Sequence, residues 1–280
     1  MQPVNKQKHD QKLFIILVGA LIALAWVALW FWGQSPYGRF ITHQGELSHG
    51  MSYEDGYILF IIIFIASWTL MTVAMMLPTS LPLISLFRTL IRDRPNHIQL
   101  VFLLVGGYLS MWMLFGIVAH IGDWGIHQFV ERNAWLSANS LMIGATTLMV
   151  AGLYQFTALK YHCLDKCRSP LTFIMERWHG GHEQKQAFRI GVDHGIFCIG
   201  CCWSLMLLMF VVGIGNIGWM LLLGTVMAVE KNMPWGRRLS APLGVILLGL
   251  GLLHHGWITI DALTYLICLI GGSKGPRNKL

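Results

Sequence analysis

Charge is what this chain has least of. Of its 280 residues only 12% are Asp, Glu, Lys or Arg, and 55% are hydrophobic. A soluble domain carries about 25% charged residues, so a water-facing surface over most of the chain is excluded. Acidic residues are the scarcer sign, 13 against 20 Lys and Arg, for a net charge of +7. In a soluble protein that excess would suggest nucleic acid, but no aromatic-basic motif accompanies it, and we expect no nucleic-acid partner. No nucleotide, serine-triad or haem-attachment motif is present, which disfavours an ATP-driven pump. Internal repeats are missing, and no length remains for a soluble domain.

What is present is a series of apolar runs near the roughly 20 residues that span a bilayer as helix. The mean hydropathy is +0.58. Spans are expected at roughly 13–33, 56–81, 98–121, 137–159, 188–213, 216–231 and 240–258, with a further stretch, 259–272, interrupted by Asp261. The reading is all-α: a polytopic transmembrane helical bundle of about seven spans (six to eight) in one integral membrane domain, 1–280. Residues 1–55 form a signal-anchor helix and an outer loop, and 259–280 form a tail. The N-terminal run reaches Trp32, too long for a signal peptide, and no small-residue cleavage site follows.

Positive charge gives the orientation. Lys6, Lys8 and Lys12 precede the first run; Arg88, Arg92 and Arg94 follow the second. Lys160, Lys166, Arg168, Arg177 and Lys185 follow the fourth, and Lys231, Arg237 and Arg238 the sixth. The intervening loops hold Arg39 and Arg132 among Glu46, Glu54, Asp55, Asp123 and Glu131. The N-terminus and the even loops are therefore expected in the cytoplasm of a bacterial inner membrane. The tail, with Lys274, Arg277 and Lys279, favours an eighth span instead.

Against this apolar background one segment carries soft donors: His194-Gly-Ile-Phe-Cys198-Ile-Gly-Cys201-Cys202, continuing to Met206 and Met209. On a helical wheel these six side chains fall within roughly 140°. His194 and Cys202 are about 12 Å apart along a helix, too far for one ion with bonds of about 2.3 Å. Pairs four apart are neighbours, so His194/Cys198 or Cys198/Cys202 is expected to ligate one ion, completed from another helix. The orientation brings Met71, Met75 and Met76, beside Pro78 and Pro82, to the same face. It also brings Cys163 and Cys167 of the segment 161–187, with His162, His179 and His182. Thiolate with thioether favours Cu(I); His with Cys suits zinc equally. The alternative is packing, because Met and Cys fill helix interfaces well. Disulfides are not expected, since thiols at a cytoplasmic face stay reduced and adjacent cysteines rarely bridge.

A second group lies at the outer ends: His120, Asp123 and His127 at i, i+3 and i+7, with His254 and His255, and His43 and His49 in an outer loop. His and carboxylate ligands suit Cu(II), iron or zinc. Pro78 deprives the Ala74 carbonyl of its helical donor, and in a membrane such a carbonyl needs another partner.

Three motifs in order resemble a known family. They are Met71-Thr-Val-Ala-Met-Met-Leu-Pro78-Thr-Ser-Leu-Pro82; Tyr154-Gln-Phe-Thr-Ala-Leu-Lys160 with Cys163-Leu-Asp-Lys-Cys167-Arg-Ser-Pro170; and Gly195-Ile-Phe-Cys198-Ile-Gly-Cys-Cys-Trp203-Ser-Leu-Met206 with Asn216, Trp219, Met220 and Glu230-Lys231. Over roughly 56–250 the chain resembles the predicted metal-binding integral membrane proteins of domain of unknown function 2182. One departure is Gly215, where that family commonly has Met; the outer histidines stand outside its motifs.

Three functions follow as expectations. The first is a membrane protein handling copper, with zinc or iron as alternatives, for transport, storage or delivery. Its partners are the bilayer, the ion and a metallochaperone or membrane metalloenzyme, and an oligomer is compatible with it. The second is a membrane metal-dependent oxidoreductase centred on the outer His/Asp group. The third is a structural or assembly subunit.

Overall fold

The computed structural model describes residues 4–34, 53–138, 141–212 and 216–253. Among them the architecture is all-α. The apolar stretch 259–272 and the residues His43, His49, Gly215, His254 and His255 lie outside the described residues.

Helix α1 (Val4–Gln34) is followed by α2 (Tyr53–Met75) and α3 (Leu77–Leu90), joined at a bend of 67°. The long α4 (His97–Glu131) leads through α5 (Ala134–Ala138) to α6 (Leu141–Tyr154) and α7 (Ala158–Arg168), which meet at 64°. Then come α8 (Pro170–Met175), α9 (Glu183–Val212) and α10 (Ile217–Asn232). A 3₁₀ turn, Gly236–Leu239, starts α11 (240–253). Among the described residues three helices are long and apolar enough to cross a membrane, or up to five if each bent pair is one span.

Two expected spans are therefore broken ones, and the reason is local. At 56–81 the helix stops at Met75, three residues before Pro78, and restarts after Met76 with that proline in the first turn of α3. At 137–159 it stops at Tyr154, and Thr157 caps α7 by accepting the Lys160 backbone N–H at 3.3 Å. The expected loop 161–187 is thus largely helical: most of α7, all of α8 and the first turn of α9. In the third span α4 continues about three turns beyond 121, through Gly122 and Gly125.

Helix α9 is the centre, packed against α4, α6, α7 and α10. Glycine lets it approach α4 closely: a Cβ on Gly191 would overlap the Leu104 carbonyl, and one on Gly107 the Phe188 carbonyl. Small residues at such crossings bring backbones together. The same approach buries the next turn of α9, where His194 and Cys198 sit. Outward, α4 exposes Phe102, Leu114 and Val118, and α11 exposes Val245, Ile246 and Leu253.

Candidate metal centre

The break in the α2–α3 pair meets the cysteine turn of α9. Cys198, Cys201, Cys202 and Met76 are each at most 1% exposed. The Cys202 Sγ lies 3.9 Å from the Met76 Sδ. From the end of α10, the Lys231 Nζ donates to the Cys198 Sγ at 2.8 Å and approaches the Cys202 Sγ at 3.9 Å. It also donates to the Thr79 hydroxyl, 3.3 Å away in the first turn of α3. Tyr108 of α4 closes the group, its hydroxyl 3.2 Å from the Cys198 Sγ and 3.3 Å from the Met76 carbonyl. Four helices and one break therefore place two thiols, a thioether and an ammonium around one buried point.

Local chemistry explains why the break is stable there. The Met76 carbonyl accepts the Thr79 N–H at 3.2 Å, the Thr79 hydroxyl at 2.7 Å and the Ser80 hydroxyl at 3.4 Å. Buried backbone groups released from a helix need such partners. The α9 thiols are also oriented by backbone: Cys201 and Cys202 donate to the Cys198 carbonyl at 3.1 and 2.8 Å.

His194 turns elsewhere. Its Nε2 is 3.2 Å from the Ser80 hydroxyl, its ring packs beside Tyr108 and Phe173, and among the described residues its Nδ1 has no hydrogen-bond partner. Of the two expected pairs, Cys198/Cys202 is thus the one gathered around a common group, Lys231. Met75 packs on Gly224 of α10, with its Cε 3.6 Å from an added Cβ. Met71, Met206, Met209, Met220 and Met227 share the same core, all at most 1% exposed.

Cys163 and Cys167 lie on α7 rather than on a loop, so their spacing of four puts both on the face toward α9. The Cys163 Sγ sits where a Cβ on Gly200 would be, and Cys167, half-buried, packs against the same apolar core. The described cysteines are all free. His162, His179 and His182 are exposed.

Behind the thiols is a second buried polar group. The Lys160 ammonium bonds the Gln155 side-chain oxygen and both Glu230 carboxylate oxygens, the latter at 2.8 and 3.0 Å. Ser240 donates to the same carboxylate at 2.7 Å, and Arg168 holds the Glu230 and Pro234 carbonyls. Adjacent Glu230 and Lys231 therefore serve two different clusters. Sequence reasoning noted this pair only within a motif; opposite charges at the end of an apolar helix were the signal that could have marked Lys231 as part of the centre.

At the far end of α4 the His120 ring packs on Phe64, with centroids 4.3 Å apart, while exposed His127 bonds the Asp123 carbonyl at 3.1 Å. Among the described residues no three His, Cys, Asp or Glu side chains are grouped to hold one ion. The expected His120/Asp123/His127 trio is thus not gathered into a shell; His254 and His255 lie outside the described residues.

No curated protein and no solved structure matches the chain. A family model described as PpoB2, copper chaperone, matches residues 65–254, which include the α2–α3 break, both α7 cysteines, the α9 thiols and Lys231. That match spans well over half of the sequence, and the chain belongs to the PpoB2 copper chaperone family.

Proposed function

We propose that the protein holds Cu(I) between the Cys198 and Cys202 thiolates and the Met76 thioether, and hands it to a metalloenzyme. The observation that carries this is the convergence of Met76 Sδ and Lys231 Nζ on the two α9 thiols. Soft sulfur donors select Cu(I). A structural zinc site closes with four N or S ligands, and the described residues bring no three His, Cys, Asp or Glu together. Two thiolates and a thioether suffice for Cu(I). Charge also balances: two thiolates, one Cu(I) and the Lys231 ammonium sum to zero, which limits the cost of burying the centre.

The rest of the reading is a polytopic membrane protein of the bacterial inner membrane, about seven spans, N-terminus cytoplasmic, with the centre near the cytoplasmic face. Its support is the apolar helices, the exposed apolar side chains and the Lys and Arg of the even loops. The buried thioethers above Cys202 offer weak soft donors along a route away from that face.

The test is elemental analysis of full-length protein purified from copper-supplemented cells. The expected wild-type content is about one copper per chain; C198S and C202S fall to roughly a tenth of that, and M76L retains copper with affinity lowered on the order of tenfold. Unchanged copper in the C198S/C202S double variant, or stoichiometric zinc in place of copper, overturns the proposal.

A further inference from the structure

We propose that a polar cavity, formed where the chain leaves α8 and enters α9, binds the headgroup of an anionic phospholipid. The inference rests on the proposed membrane placement and is independent of the copper centre. The cavity has a volume of about 450 Å³. Glu176, Arg177 and His179 line it from the segment after α8, and Gln186, Arg189 and Asp193 from α9. That is the scale of a small polar ligand.

Its charges leave one cation over. Arg177 pairs with the Asp193 carboxylate at 2.9 Å and with the Glu176 carboxylate at 3.1 Å. Lys166 reaches the same Glu176 at 3.3 Å. Both acids are thereby neutralised. Arg189 is exposed, and among the described residues it makes no hydrogen bond or ion pair. A guanidinium offers a planar fork of donors that matches a phosphate. The rim beside it is held in place, since the Gln186 side-chain oxygen accepts the His179 backbone N–H at 3.0 Å.

The surrounding surface says which phosphate. Lys185, Arg189 and Ile196 are all exposed, and their spacing puts them on one stripe of α9. The two cations come first, within two turns of the helix start at Glu183. Ile196 follows about 10 Å further along the axis. Met175 and Phe188, the chain neighbours of Glu176 and Arg189, are exposed as well, as is Leu171 of α8. A soluble phosphate gains nothing from such an apolar flank. A phospholipid matches both parts, with its phosphate at Arg189 and Lys185 and its acyl chains along Ile196 and the neighbouring apolar side chains. Basic pockets on the cytoplasmic side of membrane helices take anionic headgroups in this way. Because both carboxylates are already paired, the headgroup needs no ammonium of its own, and phosphatidylglycerol fits.

The experiment is native mass spectrometry of the full-length protein in detergent, titrated with phosphatidylglycerol or phosphatidylcholine. Wild type is expected to prefer phosphatidylglycerol about tenfold. R189Q lowers that affinity roughly fivefold, and K185Q/R189Q removes the preference. I196S weakens phosphatidylglycerol binding, and free glycerol phosphate at the lipid concentration does not compete. Equal phosphatidylglycerol affinity in R189Q and wild type overturns the site. Displacement of the lipid by glycerol phosphate also overturns it, because the cavity would then hold a soluble phosphate. R189Q keeps the copper content of wild type, so a failed lipid site is told apart from a failed copper centre. Recovery of wild type and every variant in the soluble fraction without detergent defeats the membrane placement itself, whatever lipid is added.

Discussion

Lys231 is the residue on which the centre turns. The residue is 6% exposed, and its ammonium bonds the Thr79 hydroxyl and the Cys198 and Cys202 sulfurs. In the proposed copper-loaded state it supplies the positive charge that the two thiolates and one Cu(I) lack. Removing it leaves a net negative centre away from water, which is costly. K231M is therefore expected to weaken Cu(I) binding roughly 10- to 100-fold, about 1.4–2.8 kcal/mol, in a chelator competition. K231R should recover only part, because a planar fork does not fit where a compact ammonium sits. Tighter binding by K231M would identify the ammonium as a competitor for the thiols instead. At this scale the sequence announced the donors: three cysteines within five residues and a methionine pair beside Pro78. It did not distinguish Met76 from Met75, because the helix breaks at Met76 and regular helical periodicity no longer tells which of the two turns toward α9. Nor did spacing show that His194 turns to Ser80, a contact made across 114 residues.

At the scale of helices, the centre depends on how the end of α10 is fixed. The Lys160–Glu230 pair ties α7 to α10, with side chains 0% and 2% exposed, and Ser240 brings in α11. Removing one member of a buried pair strands the other and costs about 3–5 kcal/mol, whereas replacing both is often near neutral. K160M is thus expected to lower the thermal midpoint in detergent strongly and to reduce copper content, since Lys231 is the next residue. The double variant K160M/E230Q should regain stability. If both single variants are as stable as wild type, the pair does not anchor α10. Helix positions were legible in the apolar runs, with most boundaries within a few residues. The breaks were not: Pro78 announced a bend, but the 154–158 corner has no proline, and α7 has too few apolar residues to be read as helix. Reading 161–187 as loop concealed that Cys163 and Cys167 share a face.

Across the whole molecule, the segments that the charge pattern assigns to one side are physically joined. Arg94 after α3 pairs with Glu183 at the start of α9 at 2.7 Å, and Asp165 of α7 pairs with Arg237 before α11 at 3.1 Å. Nearby, Glu176 is held below the usual carboxylate range by its hydrogen bond and charge contact with Lys166, then by Arg177. These are contacts among the second, fourth and sixth loops, the ones rich in Lys and Arg. In the proposed membrane placement, loops that touch lie on one side of the bilayer, so an even number of crossings separates them. A single added cysteine should therefore be labelled from one side only by a membrane-impermeant maleimide. R92C, K185C and R238C are expected to react in inverted vesicles and not in intact cells, and R132C, in the α4–α5 turn, to show the reverse. Wild-type protein run alongside corrects for reaction at Cys167, the half-buried native thiol of α7. Labelling of R92C and R238C from opposite sides would break the shared face and, with it, the placement of the copper centre near the cytoplasm.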